Sequence, residues 1–327
     1  MKTIGFGIIG CGDVTEKKSG PAFQKAEGSR LVAVMRRDRE KLEDYARRHG
    51  VEKYSTDYLD LMDDPEIDMI YIATPPHMHH FYTLEAARHG KDVYVEKPMA
   101  MTVKECRQMV EACKAHGVKL FVAYYRRGQE KFKAVKSLLE TGGIGEIRSF
   151  QYTYACPVPA FDPNRAWLLS RQEAGGGLLY DIGSHMVDTL RFILGEVDMA
   201  AGISANLSKA YGVNDVLSGF LRFESGVQGA LQMSFHASEN RDEAVIYGSR
   251  GSVRFSIMDM EPVTVTRNGV TERIPFEPLQ HVQEPWIRRM VRILQGLEEG
   301  DTTGEYGLKT QEVLEAFENS KPIRYPK

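Results

Sequence analysis

The run Ile4–Ile9 is apolar and ends on Gly10-Cys11-Gly12, and four more β-rich runs follow it before residue 124. They are 31–35 (LVAVM), 68–73 (DMIYIA), 92–95 (DVYV) and 118–123 (VKLFVA). The stretches between them carry helical signals. Residues 81–89 stop at Gly90. Thr102-Val103-Lys104-Glu105 is a capping-box pattern, and its helix keeps Val103, Cys106, Val110 and Cys113 on one face before Gly117 ends it. Strands separated by single helices need crossover connections, so this third of the chain predicts βαβ units around a parallel sheet.

A chain of 327 residues is too long for one ordinary core, and its texture changes near residue 123. The expected domains are 1–123 and 124–327. In the second, a helix over 131–140, a Pro-rich loop at 157–163 and a helix over 181–194 precede strands at 217–223, 226–237, 243–247, 252–257 and 263–267. The turns Glu224-Ser225-Gly226, 248–251 and Asn268-Gly269 suit hairpins, so this domain reads as α+β with an antiparallel sheet. Helices over 285–297 and 304–318 close the chain, and at least one is expected to pack back on the first domain.

With 42% hydrophobic and 27% charged residues and a net charge of −3, the chain offers no electrostatic case for nucleic acid or an anionic membrane surface. No apolar run reaches the roughly 18 residues of a membrane span. The opening MKTIGFGIIGCG is too short and glycine-broken for a signal peptide, with no small-residue cleavage site after it. Cys11, Cys106, Cys113 and Cys156 have neither C-x-x-C nor zinc spacing, so a cytoplasmic setting and no metal are expected.

At the first turn two glycine patterns overlap. Gly5-x-Gly7-x-x-Gly10 lies inside the strand. Gly10-x-Gly12, with Thr15 in third place, puts the tight turn between strand and helix, where a pyrophosphate binds. The second is preferred, with Gly10, Gly12, Asp13 and Val14 as cofactor contacts. Thr15 stands where Gly or Ala is usual, which predicts looser packing of helix on strand. The second run ends Met35-Arg36-Arg37-Asp38. An acid there selects NAD through the ribose 2′-hydroxyl, and an Arg selects NADP through the 2′-phosphate. Arg36 and Arg37 suit a phosphate, so NADP is preferred to NAD. Asp38 keeps the ribose option, and a solvated charge cluster opening a helix is the plainer alternative.

The third run ends in ATPPHMHH. Thr74, Pro75 and Pro76 form a loop at a strand's carboxyl end, where open α/β sheets bind ligands. These residues and His79 are candidate cofactor contacts, although His79 also suits the start of the next helix. The fourth run ends on Glu96-Lys97-Pro98, a charged pair at the mouth of the same crevice, and the proline restricts the backbone of Lys97. Glu96 reads as a cofactor-side contact or the partner of a nearby cation. Far along the chain, GGGLLYDIGSHMVDTL places Asp181 and His185 four apart on one helix face. An Asp beside a His orients the ring and raises its basicity, which suits a general base. The alternative is a first-turn Asp favoured by the helix dipole and an unrelated His.

In this order, GIIGCG, ATPPHMH, GKDVYVEKP and GGGLLYDIGSHMVD resemble the motifs of the Gfo/Idh/MocA oxidoreductases across essentially the whole chain. The resemblance implies an N-terminal Rossmann domain with a doubly wound parallel sheet. It implies a C-terminal α+β domain whose large, open, mainly antiparallel sheet makes a homodimer or homotetramer. It implies hydride transfer between NADP or NAD and a hydroxyl-bearing or carbonyl carbon of a sugar, polyol or related molecule. Lys97 falls on the position that meets nicotinamide ribose and substrate, and His185, with Asp181, on the position that exchanges the proton. Tyr125 and Arg127 fall where substrate-facing groups are placed, with a salt-bridged Arg127 in a surface helix the alternative, and Trp167, just before the glycine-rich loop, either walls the pocket or belongs to the core. The Lys97–Pro98 bond is often cis in the family. A glycoside hydrolase that uses the dinucleotide transiently, and a non-catalytic dinucleotide-binding regulator, are the alternatives.

Overall fold

The computed structural model describes residues 2–157, 163–300 and 303–319. Residues 158–162 of the expected Pro-rich loop lie outside the described residues. The first part of the chain runs β1 (Ile4–Ile9), α1 (Asp13–Lys17), α2 (Gly20–Lys25), β2 (Ser29–Met35), α3 (Arg39–His49), β3 (Lys53–Ser55), α4 (Leu59–Met62), β4 (Met69–Ile72), α5 (His79–Arg88), β5 (Asp92–Val95), α6 (Val103–Ala115) and β6 (Leu120–Val122). It continues through α7 (Glu130–Glu140), β7 (Ile147–Ala155), α8 (Arg171–Ala174), α9 (Leu178–Leu194), β8 (Val197–Ala205), β9 (Val216–Phe223), β10 (Gln228–Ser234), β11 (Arg241–Gly248), β12 (Gly251–Phe255), β13 (Val263–Arg267) and β14 (Val270–Ile274). Two helices follow, α10 (Glu284–Leu294) and α11 (Gly304–Asn319).

The six parallel strands lie in the order β3-β2-β1-β4-β5-β6. That is the doubly wound order, and it opens a crevice where β1 and β4 diverge at their carboxyl ends. Both faces are covered, which is why β1 and β4 are apolar without alternation. One face packs Phe6, Ile8, Val34, Tyr71 and Tyr94 against Phe23 of α2 and against Trp286, Ile287, Met290 and Val291 of α10. The other packs Ile70, Ile72, Val93 and Val95 against Ala86 of α5 and Cys106 and Met109 of α6. The capping box forms as the sequence predicts: Thr102 Oγ1 accepts the Glu105 N–H, and Glu105 Oε2 accepts the Thr102 N–H.

The second sheet has the order β14-β13-β12-β11-β7-β10-β9-β8, and its pairs are antiparallel except the parallel pair β7–β10. One face packs Phe150, Tyr152, Leu221, Ile246 and Val253 against Met186, Val187 and Leu190 of α9. The register puts Met199, Phe220, Ile203 and Tyr247 on the opposite face, all exposed. Three strands lack a sequence signal. β3 and β14 are exposed edge strands with no apolar face to alternate, and β8 is diluted by Ala and Gly.

The chain forms two compact units, Met1–Gln129 with Leu279–Gln311, and Glu130–Pro278 with Glu312–Lys327. The first unit therefore runs past residue 123 and takes back a C-terminal segment. Each fully buried side chain of the size of Trp286, Ile287 or Met290 contributes about 1.5–3 kcal/mol, which holds α10 to the parallel sheet. The turn Tyr125–Gly128 goes with it, because a Cβ on Gly128 would sit 2.9 Å from the Trp286 backbone nitrogen. The sequence places the division six residues earlier because β6 is the last strand signal.

Candidate active site

The carboxyl ends of β1, β2, β4 and β5 carry most of the expected cofactor residues. Gly10 has φ +90°, and a Cβ there would meet Thr74 Cγ2 at 2.8 Å, so only glycine fits where the turn after β1 touches the loop after β4. Gly12 differs. A Cβ built on it has no protein atom nearer than 3.9 Å. Thr15 is fully buried, its hydroxyl accepting the Gly12 N–H at 2.9 Å and donating to the Gly12 carbonyl at 2.8 Å. Its carbonyl accepts from Tyr45 Oη, and a Cβ on Gly20 would lie 2.2 Å from that carbonyl oxygen. The Thr15 hydroxyl thus closes the turn on itself, and its backbone packs tightly against Gly20 at the start of α2. Asp13 is exposed and Val14 half-buried at the start of α1.

Arg36 Nη1 donates to the Cys11 carbonyl at 3.1 Å, which lays its guanidinium along the glycine turn. Arg37 is exposed. Asp38 caps α3, its Oδ1 accepting the Lys41 N–H at 3.1 Å, and that backbone bond is the first cause of its lowered pKa. The acid at the end of β2 is therefore already engaged.

Thr74 and Pro75 are in the loop after β4, and Pro76 opens a 3-10 turn, Pro76–Met78, leading into α5. Thr74 Oγ1 is buried without a hydrogen-bond partner. His79 is fully buried, with Nε2 2.8 Å from the Thr74 carbonyl oxygen and Nδ1 3.0 Å from that of Pro98. The neutral ring donates to one of these two carbonyls and has no exposed surface, so the expected direct cofactor contact gives way to a side chain wedged between two loops. Burial is the main cause of its lowered pKa.

Lys97 follows β5, is half-buried, and precedes a cis peptide bond to Pro98. Beneath it Glu96 is 6% exposed. Glu96 Oε1 accepts from Tyr71 Oη and Gln283 Nε2, each at 2.6 Å, and Oε2 accepts the Lys97 N–H at 3.1 Å. Burial first, and the Glu96 charge second, raise Tyr71 and Tyr94 well above the usual phenol pKa, so both stay proton donors.

In the second unit Asp181 and His185 stand one turn apart on α9. The helix starts at Leu178, three residues before the expected start, because Gly177 at φ +59° turns the chain into it and the apolar triplet after Gly177 is buried. Val213 packs so close that a Cβ on Gly177 would be 2.6 Å from its Cγ1. His185 is 2% exposed. Arg165 Nη2 lies 3.6 Å from Asp181 Oδ2. Trp167 is half-buried on the turn Pro163–Leu169. Back in the first unit, Tyr125 is 4% exposed and packs in the α10 cluster, so its ring belongs to the core that fixes this turn. The Arg127 guanidinium lies 3.7 Å from the Tyr306 ring centroid, and the residue is buried and not on the surface.

Residues 4–124 match the family described as "Oxidoreductase family, NAD-binding Rossmann fold", and residues 132–254 match its "GFO/IDH/MocA C-terminal domain". The chain belongs to the Gfo/Idh/MocA oxidoreductases. It is 40% identical to Oxidoreductase P35 of Formosa agariphila over 88% of this chain and 90% of that one. It is 32% identical to the 1,5-anhydro-D-fructose reductase of Ensifer adhaerens over 93% and 92%. The crystal structure of aldose-aldose oxidoreductase from Caulobacter crescentus superposes with TM-score 0.84 at 29% identity, covering 97% and 96% of the two chains.

A Gfo/Idh/MocA domain of this kind binds a nicotinamide dinucleotide, and two features of this chain fit one. A Cβ on Gly12 would clash with nothing, its nearest atoms being Arg36 Nη1 and the Gly10 carbonyl oxygen at 3.9 Å, and Thr74 Oγ1 is a buried donor without a hydrogen-bond partner. Among the described residues no group of three or more His, Cys, Asp or Glu is placed to hold a metal, and no helix is long and apolar enough to cross a membrane. Sequence reasoning missed Tyr71, Gln283 and Arg165. A tyrosine inside the fully buried strand β4 is a signal in itself, since its hydroxyl needs a partner. Gln283 has no local signal, because its partner Glu96 is 187 positions away.

Proposed function

We propose that this Gfo/Idh/MocA member is an NADP-preferring dehydrogenase or reductase of a sugar, polyol or related small molecule. The observation that carries the reading is the carboxyl edge of the parallel sheet. There the open Gly12 turn, the unpartnered Thr74 hydroxyl and Lys97 on its buried Glu96 support stand on neighbouring strand ends. The sugar-acting relative at 32% identity supports the substrate class.

The bound nicotinamide supplies hydride transfer at its C4. In oxidation His185 takes the substrate hydroxyl proton while Asp181 orients its imidazole, and in reduction His185 returns that proton. Lys97 donates a hydrogen bond from Nζ to the substrate oxygen, stabilising negative charge as it develops. Thr74, Pro75 and Pro76 wall the cofactor, and Arg127 and Trp167 are the proposed substrate contacts. Arg165 Nη2 stands 3.6 Å from Asp181 Oδ2.

The preference for NADP rests on Arg36, held on the glycine turn, with Arg37 beside it and Asp38 engaged as a helix cap. Charge-assisted bonds of this kind are worth about 1.5–3 kcal/mol. Replacing Arg36 and Arg37 together by Ala is therefore expected to weaken NADPH binding by about 10–100-fold and leave NADH binding nearly unchanged. Nicotinamide fluorescence titration measures both, and equal losses for the two cofactors would remove the 2′-phosphate assignment.

The exposed Met199, Ile203, Phe220 and Tyr247 on the outer face of the second sheet support a homodimer or homotetramer formed there. Sedimentation equilibrium is expected to give a multiple of the chain mass that falls on Phe220→Glu; a wild-type monomer contradicts it. A reducing cytoplasm suits the four cysteines, all described and none in a disulfide.

A further inference from the structure

We infer that Gln283, which no motif marks, is a positioning residue for Lys97 and ties the lysine loop to the cofactor turn. The inference rests on the reading of Lys97 as the reaction-site donor. Gln283 sits at the N-cap of α10 and is fully buried. Its side-chain amide has one possible orientation. Nε2 donates to Glu96 Oε1 at 2.6 Å, and Oε1 accepts from Tyr94 Oη at 2.8 Å. Turning the amide over would set its oxygen against a carboxylate oxygen. Tyr71 Oη donates to the same Glu96 oxygen. Glu96 is thereby left with Oε2 aimed at the Lys97 N–H.

Among the described residues no lysine or arginine side chain bonds this carboxylate. It is held by a phenol, an amide and a backbone N–H, so its orientation depends on each of them. The Gln283 backbone N–H, in turn, donates to the Lys18 carbonyl at 3.2 Å, directly beyond α1 of the glycine turn. Ser19, the next residue, is fully buried and its hydroxyl reaches back to the Val14 carbonyl at 3.4 Å. One residue of the C-terminal segment thus links the end of α1, through its backbone N–H, to the end of β5, through its side chain. Those are the two places where the cofactor and the lysine must be set relative to each other. The Tyr71 and Tyr94 rings stack at 4.8 Å between centroids, which fixes both hydroxyls along the same edge.

The pairing is directional, and that makes it testable by exchange of partners. Glu96→Gln alone leaves two amides facing each other. Gln283→Glu alone brings two carboxylates together in a buried site. The double variant Glu96→Gln/Gln283→Glu restores one amide and one carboxylate, with Tyr94 still donating to residue 283 and the Lys97 N–H still accepted by residue 96, while Tyr71 Oη turns from donor to acceptor at residue 96.

NADPH affinity is read by nicotinamide fluorescence, and hydrogen exchange is followed in the peptide spanning residues 92–101. Each single variant is expected to weaken NADPH by about tenfold and speed exchange in that peptide alone. The double variant is expected to return to within about threefold of the starting affinity and to recover protection. Losses that simply multiply in the double variant would overturn the inference, and so would unchanged exchange at 92–101 in both singles. If Gln283→Glu does not fold, Tyr71→Phe removes one donor from the same carboxylate. It is expected to raise exchange at 92–101, and no change there is equally contrary. Lys97→Ala separates the two readings. Full catalytic activity in that variant removes the lysine from the chemistry while leaving the partner exchange intact. Absent coupling removes Gln283 while leaving the effect of Lys97→Ala intact.

Discussion

Lys97→Met is expected to lower kcat by about 10²–10³-fold on any sugar the enzyme turns over, the loss typical when one donor to a developing oxyanion is removed. The methionine keeps most of the side chain's apolar length and removes the charge and the donated hydrogen bond. The backbone at 97 is held by Glu96 Oε2 through the N–H, a bond the substitution does not touch, so Tm is expected to move little. That combination separates a reaction-site lysine from a structural one. Steady-state rates with NADPH, read against a thermal melt, measure both. A kcat within twofold of the unmodified enzyme contradicts the role given to Lys97.

His185→Ala is the second large effect. A positioned acid or base contributes about 10²–10⁴-fold, and kcat is expected to fall by that much. His185 is 2% exposed on a helix whose neighbouring residues Met186 and Val187 are in the core. The truncation therefore also leaves a cavity, and a stability loss alone is not informative. Two comparisons resolve this. Added imidazole is expected to restore part of the rate in His185→Ala and none in Lys97→Met. Asp181→Asn, which keeps the side-chain volume but not the charge beside the ring, is expected to lower kcat by less than His185→Ala. An unchanged kcat in His185→Ala would sink the proton-transfer assignment whatever the melt shows.

How much of this was legible in the sequence varies with the distance over which each interaction acts. β1, β5, β13 and the capping box of α6 lie where local pattern puts them, because buried parallel strands and helix caps are written within a few consecutive residues. The edge strands β3 and β14 were not legible, since an exposed strand has no buried face to impose alternation. The start of α9 was displaced because the left-handed Gly177 decides it and the charged Asp181 does not.

The same gradient runs through the candidate site. Gly10, Gly12, Thr74 and Lys97 stand at strand ends, where topology makes position meaningful. His79, a candidate cofactor contact or helix start by its place in the loop, and Tyr125, a candidate substrate contact by the family resemblance, are both buried. Glu96 was read as facing the cofactor or a cation. Its partners turn out to be Tyr71 and Gln283, one on a neighbouring strand and one in the C-terminal segment, and no local pattern contains that information.

The central claim is net hydride transfer to or from a sugar-like substrate, and the direct measurement follows the hydride itself. NADPH carrying deuterium at C4, prepared in both stereochemical forms, is incubated with 1,5-anhydro-D-fructose, aldoses, inosose-type ketones and related carbonyl compounds, and the products are weighed by mass spectrometry. The expected result is one deuterium in a product C–H from one of the two forms, with NADPH consumed in equal amount and a faster reaction than with labelled NADH. Product formed with no deuterium retained and no net loss of NADPH, as a hydrolase that restores its cofactor would give, contradicts it.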